Sequence, residues 1–410
     1  MREHKGVYQN STELMDIGGK PFYMNDFVDA CLYGRLNLFL QGDTGSGKTQ
    51  LAKDAMDYFP DKSMFILGRN DMDTRELFQQ INLEKLRNGV SSEELKELTD
   101  KVNYKLFVVD ELPNSVPAVR AQLFNLFDGF IEINGKTYPI GDGYSVGIAT
   151  GNIGQKFTES NNDLGRALKD RMHVTIDTDY FKPTAWDTFN ILANNTNPRV
   201  DFTKKSENGS LEKKVLEVHN KIISSEIPFE KLIIANYLIH GLDYVNIDGK
   251  ETTKTKLKDA WPSVITNHGR GSDESLVLPV SPRAAKSILR LSQAFDYIAK
   301  EKNLTDKQVK ENYFNSMMNA YKFVGAYSGV LNDLAVREIY GNDKYSAMDA
   351  VISTTKTQFS EKENAIQAGI GMINEGKKSK KILDKFNGRW GFMDGFLEKA
   401  IEENSKEARK

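Results

Sequence analysis

The run Gly42-Asp43-Thr44-Gly45-Ser46-Gly47-Lys48-Thr49 has the residue types and spacing of a phosphate cradle. Gly42, Gly45 and Gly47 let the backbone turn tightly, so that successive N–H groups converge on an anion. A helix starting where the loop ends adds partial positive charge to the same spot. Lys48 can reach the β- and γ-phosphates of a nucleotide, and the Thr49 hydroxyl can ligate Mg²⁺. Further along, Tyr104-Lys-Leu-Phe-Val-Val-Asp110-Glu111 closes an apolar run with two carboxylates. Where phosphoryl groups are transferred, the first such carboxylate holds Mg²⁺ together with the loop threonine, and the second can polarise the attacking water. Taken alone, Asp110-Glu111 reads better as a solvated strand end. Its pairing with Lys48 and Thr49 makes hydrolysis of ATP or GTP the base expectation.

These residues need elements to hold them. Leu36 to Gln41 reads as a buried strand leading into the loop, and Gln50 to Phe59 as the helix leaving it. A parallel sheet would carry Asp110 and Glu111 to its C-terminal edge, where open α/β sheets bind ligands. Ser63 to Leu67 predicts another strand, and 71 to 103 is polar and helical in character. Val119, Leu123, Phe127 and Phe130 recur at helical spacing, which predicts an amphipathic helix over Ser115 to Phe130. Asn134-Gly135 between alternating runs signals a tight hairpin with a type I′ turn. Tyr144 to Thr150 is the next strand, with Asn152 just beyond it; Leu164 to Met172 is a short helix leading into a strand over His173 to Ile176. The alternation predicts an α/β core with a parallel sheet between helix layers over 1–185. From 186 to 330 the pattern turns helical, with a polar loop over Asn194 to Gly209 and a largely polar insertion over Ile247 to Asn267. Ser281-Pro282 opens a helix well, and Ala285, Ile288, Ser292, Phe295 and Ile298 line one of its faces. Residues 305 to 330 are helical again, and 331–410 form a helical extension with glycine interruptions and a charged tail.

Bulk properties bound the function. A chain of 410 residues can bury a large core over two or three domains. Its net charge of −2 asks for neither nucleic acid nor an anionic membrane. Cys31 is the only cysteine and reads as a small core residue. The five histidines (His4, His173, His219, His240 and His268) lack metal-ligand spacing and read as structural or surface residues. The basic cluster Lys377 to Lys381 reads as a solvated helix face. The start of the chain has no apolar signal region, and no apolar run is long enough to span a membrane, so a cytoplasmic protein is expected.

The order of elements resembles the AAA+ ATPases, and more closely their MoxR-like group. Val109-Asp-Glu-Leu-Pro-Asn-Ser-Val-Pro117 with the following Ala-Val-Arg-Ala-Gln122 is similar to that group's Walker B strand and next helix. Ile148-Ala-Thr-Gly-Asn152 is similar to the sensor 1 strand, Ala167-Leu-Lys-Asp-Arg171 to the arginine-finger segment, and Pro279-Val-Ser-Pro-Arg283 to the sensor 2 helix of the lid. The resemblance covers roughly residues 15 to 325. Two departures stand out: Pro113-Asn114 follows Leu112 where the family has Asn-Arg, and 71 to 103 looks helical where members carry a β-type insertion.

The resemblance implies a P-loop NTPase core followed by an all-α AAA+ lid and a C-terminal extension. ATP and Mg²⁺ would be the cofactors. Lys48 would neutralise phosphate oxygens, Glu111 would orient water, and Asn152 would fix that water or the γ-phosphate. Arg283 would reach in from the lid. Arg171, or Arg166 on the same short helix, would arrive from a neighbouring subunit of a homo-oligomeric ring, expected to be a hexamer. The function implied is a chaperone-like remodelling of a partner protein complex, often one with a von Willebrand factor A domain. The competing reading is a nucleic-acid motor of the helicase or packaging type. Near-neutral charge and a lone Lys136 at the hairpin tip disfavour it.

Overall fold

A computed structural model describes residues 6–69, 78–81, 96–133, 135–152, 170–194, 199–200, 210–263 and 272–407. The chain divides into two compact units, Met1–Ser224 with Tyr297–Lys302, and Ser225–Asp296 with Asn303–Lys410.

The first unit is built on five parallel strands: β3 (Leu38–Gln41), β4 (Ser63–Leu67), β7 (Leu106–Asp110), β10 (Val146–Gly151) and β11 (Val174–Asp177). Their order across the sheet is β11-β3-β10-β7-β4. Every residue of β3, β7 and β10 is buried, as expected of parallel strands covered on both faces. The helix α2 (Lys48–Met56) packs on β7 and β10, and α3 (Pro117–Asp128) on β10. Phe39, Phe107, Val109 and Ala149 of the sheet join Leu123, Leu126 and Phe127 of α3 in one core cluster. The Phe127 ring lies so close to β10 that a Cβ at Gly147 would fall 2.3 Å from it. Ahead of the sheet stand a small hairpin, β1 (Met15–Ile17) with β2 (Lys20–Phe22), and α1 (Met24–Gly34), which packs against α5 (Ser210–Ser224). Cys31 is fully buried in α1, as its composition suggested, and burial pushes its thiol pKa up.

Three local expectations meet different outcomes. The expected hairpin forms as β8 (Phe130–Ile133) paired with β9 (Lys136–Pro139), Ile133 opposite Lys136, with Gly135 at φ 72°; Asn134 lies outside the described residues. The amphipathic helix ends earlier than its apolar spacing suggested. Gly129, at φ 89°, takes the left-handed conformation that closes a helix, and Phe130 begins β8 instead. The helical reading of 71 to 103 is corrected at 79–81 and 96–98. Residues Gln79–Ile81 (β5) and Lys96–Leu98 (β6) pair as antiparallel strands, and the segments 70–77 and 82–95 lie outside the described residues. Phe78, fully buried against Phe107 with ring centroids 6.0 Å apart, and Leu98 anchor this pair to the sheet core. Tertiary burial of these two apolar side chains overrides the helix-like charge pattern.

The first unit also holds α4 (Ala185–Asn194). In the second unit, helices dominate: α6 (Phe229–Asn236), α7 (Lys254–Leu257), α8 (Asp273–Leu276), α9 (Pro282–Glu301), α10 (Asp306–Glu311), α11 (Tyr313–Gly325), α12 (Asp333–Tyr340), α13 (Lys344–Glu375), α14 (Lys380–Leu383) and α15 (Phe392–Glu407). The last turns of α9 group with the first unit. The Ser281 hydroxyl caps α9 by accepting the Ala284 N–H at 3.1 Å, and the apolar face named from the sequence is buried. Tyr237, Phe359 and Trp390 pack ring to ring within 5.0 Å. The polar insertion expected from Ile247 begins with a hairpin. It turns through Asp248 (φ 49°) and Gly249 (φ 82°), joining β12 (Tyr244–Ile247) to β13 (Lys250–Thr253). This Asp-Gly pair supplies the two positive φ angles of a type I′ turn.

Candidate nucleotide site

The loop after β3 adopts the conformation its glycines allow. Gly42 sits at φ 145°, and a Cβ there would fall 2.3 Å from the Thr178 hydroxyl. Gly45 and Gly47 follow at φ 87° and 83°. Inside the loop, the buried Lys48 ammonium donates to Gly42 O at 2.9 Å, Asp43 O at 2.6 Å and Ser46 Oγ at 3.1 Å. Burial lowers its pKa, while Asp179, Asp43, Asp110 and Asp177 pull the other way and favour the charged form. Thr44 and Gly45 form the exposed rim of the loop.

The strand-end carboxylate meets the loop. Thr49 Oγ1 donates to Asp110 Oδ1 at 2.9 Å, and Thr150 Oγ1 donates to the same oxygen at 2.6 Å. Glu111, next in the chain, is exposed and adopts φ 55°, a left-handed conformation costing about 1 kcal/mol for a residue with a side chain. Its N–H donates to Thr150 Oγ1 at 3.0 Å, and its carboxylate accepts from Asn114 Nδ2 at 3.0 Å. On the other flank, Gly68 N donates to Asp110 O at 2.7 Å. Only glycine fits there, because a Cβ would lie 2.6 Å from Glu111 O.

The structure thus brings Lys48, Thr49, Asp110 and Glu111 together. Asn152 is half-buried immediately after β10. Arg171 lies elsewhere: it precedes β11, which runs parallel to β3, so it sits at the sheet edge opposite the phosphate loop. Its guanidinium pairs with Asp128 at 2.8 Å and lies over the Phe124 ring. Asn37 fixes this corner, donating from Nδ2 to Arg171 O at 3.0 Å and to Phe127 O at 2.8 Å while its Oδ1 accepts from Gly147 N. Arg166 lies outside the described residues. Arg283 occupies the first turn of α9 in the second unit.

Four contributors escape a reading of the sequence alone. Thr150 shows only as a polar residue ending an apolar run. Asp179 accepts the Asp43 N–H at 2.7 Å, and Thr178 Oγ1 stands 2.8 Å from Ser46 Oγ, so the turn after β11 braces the loop. Tyr8 covers Gly47, whose Cβ would fall 2.8 Å from its ring, and its backbone N–H donates to Asp54 of α2 at 2.7 Å. Tyr8 carries no pattern that would mark it.

The donor set suits Mg²⁺. A nucleotide-bound Mg²⁺ uses one or two protein oxygens and takes the remainder from phosphates and water. Thr49 and Asp110 supply two oxygens in contact. No cluster of three or more His, Cys, Asp or Glu side chains able to hold a metal by itself occurs among the described residues. His173 and His219 instead bond to the backbone, at Asn37 N and Tyr33 O.

Sheet order, phosphate loop and strand-end carboxylates together define a P-loop nucleoside-triphosphatase core, here with a helix-rich C-terminal region. Residues 37–172 match the family described as AAA domain (dynein-related subfamily), which supports an AAA+ ATPase. A crystal structure of a proposed ATPase from Cytophaga hutchinsonii shares the fold, with 19% identity, a TM-score of 0.51, and coverage of 80% of this chain and 89% of that one. A search among curated proteins gives no match. No helix among the described residues is long and apolar enough to cross a membrane.

Proposed function

We propose that this chain is a Mg²⁺-dependent, cytoplasmic ATPase that assembles into a homo-oligomeric ring, a hexamer, and remodels a partner protein complex as MoxR-like proteins do. The observation that carries the hydrolytic part is the Thr49–Asp110 contact at 2.9 Å, which joins the phosphate loop to the strand-end carboxylate. Phosphoryl transfer is catalysed mainly by positioning and charge stabilisation. Gly42 to Gly47 cradle the phosphates, with Lys48 exchanging its loop carbonyls for phosphate oxygens. Thr49 and Asp110 would hold Mg²⁺, which when bound would supply charge neutralisation to the phosphates. Glu111 takes up the proton of the attacking water, and Asn152 orients that water or the γ-phosphate.

The ring rests on Arg171. Its place at the edge away from its own phosphate loop supports a finger that serves a neighbour's site, with Asp128 holding it ready. Residues 186–330 act as the lid carrying Arg283, 331–410 form a helical C-terminal extension, and the client is a complex containing a von Willebrand factor A domain. The test is phosphate release with Mg²⁺-ATP and with chelator, alongside sedimentation with a non-hydrolysable ATP analogue. Hydrolysis that ignores the chelator, or a monomer under all nucleotide conditions, defeats the proposal. A salt-dependent gel shift with single-stranded DNA would redirect it towards a nucleic-acid motor.

A further inference from the structure

We infer that Thr150 is the positioning residue of the hydrolytic pair: its one hydroxyl sets the direction of both Asp110 and Glu111. The inference rests on the reading above, in which Asp110 holds the metal and Glu111 acts on water.

The sheet order puts β10 between the strand of the phosphate loop and the strand of the carboxylates. Thr150 stands opposite Leu40 of β3, and its neighbour Ala149 opposite Val109 of β7. Thr150 is therefore level with Asp110, and it is 1% exposed. A hydroxyl has one hydrogen to give. Here that hydrogen goes to Asp110 Oδ1 at 2.6 Å, so the Thr150 oxygen faces Glu111 as an acceptor, taking its N–H at 3.0 Å. With Thr49 donating to the same Oδ1, that oxygen holds two hydroxyl hydrogens. The plane of the carboxylate is then fixed, and with it the direction in which Asp110 would meet a metal ion.

The second contact does separate work. At φ 55° the Glu111 N–H leaves the ladder between strands, and Thr150 gives it a partner. Gly68, just after β4, steadies the same peptide, but through the backbone alone. Thr150 is the side chain that touches both the carboxylate of one residue and the amide of the next. Valine in its place keeps the shape and removes both bonds.

Thr150→Val and Thr150→Ser separate shape from hydroxyl. The first readout is equilibrium binding of Mn²⁺, followed by electron paramagnetic resonance, to the protein loaded with a non-hydrolysable ATP analogue. The second is steady-state ATP hydrolysis. Groups that orient metal ligands typically affect metal affinity or activity by about 10–100-fold. Thr150→Val is expected to weaken Mn²⁺ binding by about 10-fold and to lower kcat by about 100-fold, with KM for ATP and nucleotide affinity in chelator within about 2-fold. Thr150→Ser should recover both to within about 3-fold. Wild-type Mn²⁺ affinity and kcat in Thr150→Val overturn the inference; so does Thr150→Ser no better than Thr150→Val, which would assign a role in packing. If Thr150→Val fails to unfold cooperatively on heating, Thr150→Ala replaces it under the same criteria. A wild type without Mg²⁺-dependent hydrolysis, or Lys48→Ala with undiminished nucleotide affinity, would instead sink the underlying site reading.

Discussion

Each unit buries a lysine whose ammonium donates to two backbone carbonyls. Lys48 reaches Gly42 O and Asp43 O; Lys254 reaches Asp273 O at 3.1 Å and Val277 O at 2.7 Å. Burial lowers the pKa of both. Their surroundings differ. Lys48 sits in a glycine-rich loop with an exposed rim, and its carbonyl partners are its own near neighbours. Lys254 ties α7 to α8, and the nearby Asp273 and Glu274 already pair with Arg389 at 2.6 and 3.1 Å. Its charge is used up in holding helices together. A buried lysine thus marks a site only where its partners can be exchanged for a ligand and a strand-end carboxylate waits beside it.

If the comparison is right, substitutions in the first unit alter turnover and leave folding alone. Arg171→Ala should have the largest effect, because a finger supplied by a neighbour is worth about 10³ or more in rate. Mixing it with Glu111→Gln chains should restore activity at interfaces that join an intact Glu111 to an intact Arg171. Inactive mixtures in which mixed assembly has been shown would rule out action between subunits. Glu111→Gln by itself should lower kcat by about 10²–10³ with ATP still bound, since an amide accepts no proton from water. Turnover near wild type would remove Glu111 from the chemistry. Lys48→Ala should weaken a fluorescent ATP analogue by about 10- to 100-fold, the worth of a charge-assisted bond to phosphate.

The sharpest contrast is Lys254→Met. It should leave nucleotide affinity unchanged and lower stability by about 1–3 kcal/mol through two unpaired carbonyls, read by thermal unfolding. A change in ATP affinity with unchanged stability would reverse the assignment of the two lysines. The pH dependence of stability tests the same lysine. Burial holds Lys254 down to about 8 from an ordinary 10.5. The unfolded chain therefore binds more protons than the folded one between these values. The penalty for burying the charge is complete below pH 8 and fades towards 10.5, so wild-type stability should rise relative to Lys254→Met across that window. A flat difference would mean that the folded lysine keeps its ordinary pKa.

The phosphate loop, the Asp110-Glu111 strand end and the Asn134-Gly135 hairpin were legible because each rests on a local rule with fixed spacing. The β5–β6 pair was not: its charged pattern suggested a helix, and only Phe78 and Leu98 reaching the core reveal strands. The β12–β13 hairpin carried a readable Asp-Gly turn within a run judged by polarity alone. Thr150 and Asp179 were invisible for a different reason. Their roles depend on which strands end side by side, and sheet order is not written in any single segment.

Residues 8 to 12 have a practical consequence. Tyr8 lies on Gly47, Asn10 donates to Phe181 O, and Ser11 donates through both backbone N–H and hydroxyl to Asp187. This short stretch laces the nucleotide loop to the turn beyond β11. Affinity tags placed hard against it, or proteolytic trimming through it during purification, would register as poor ATP binding in a preparation that otherwise looks well folded.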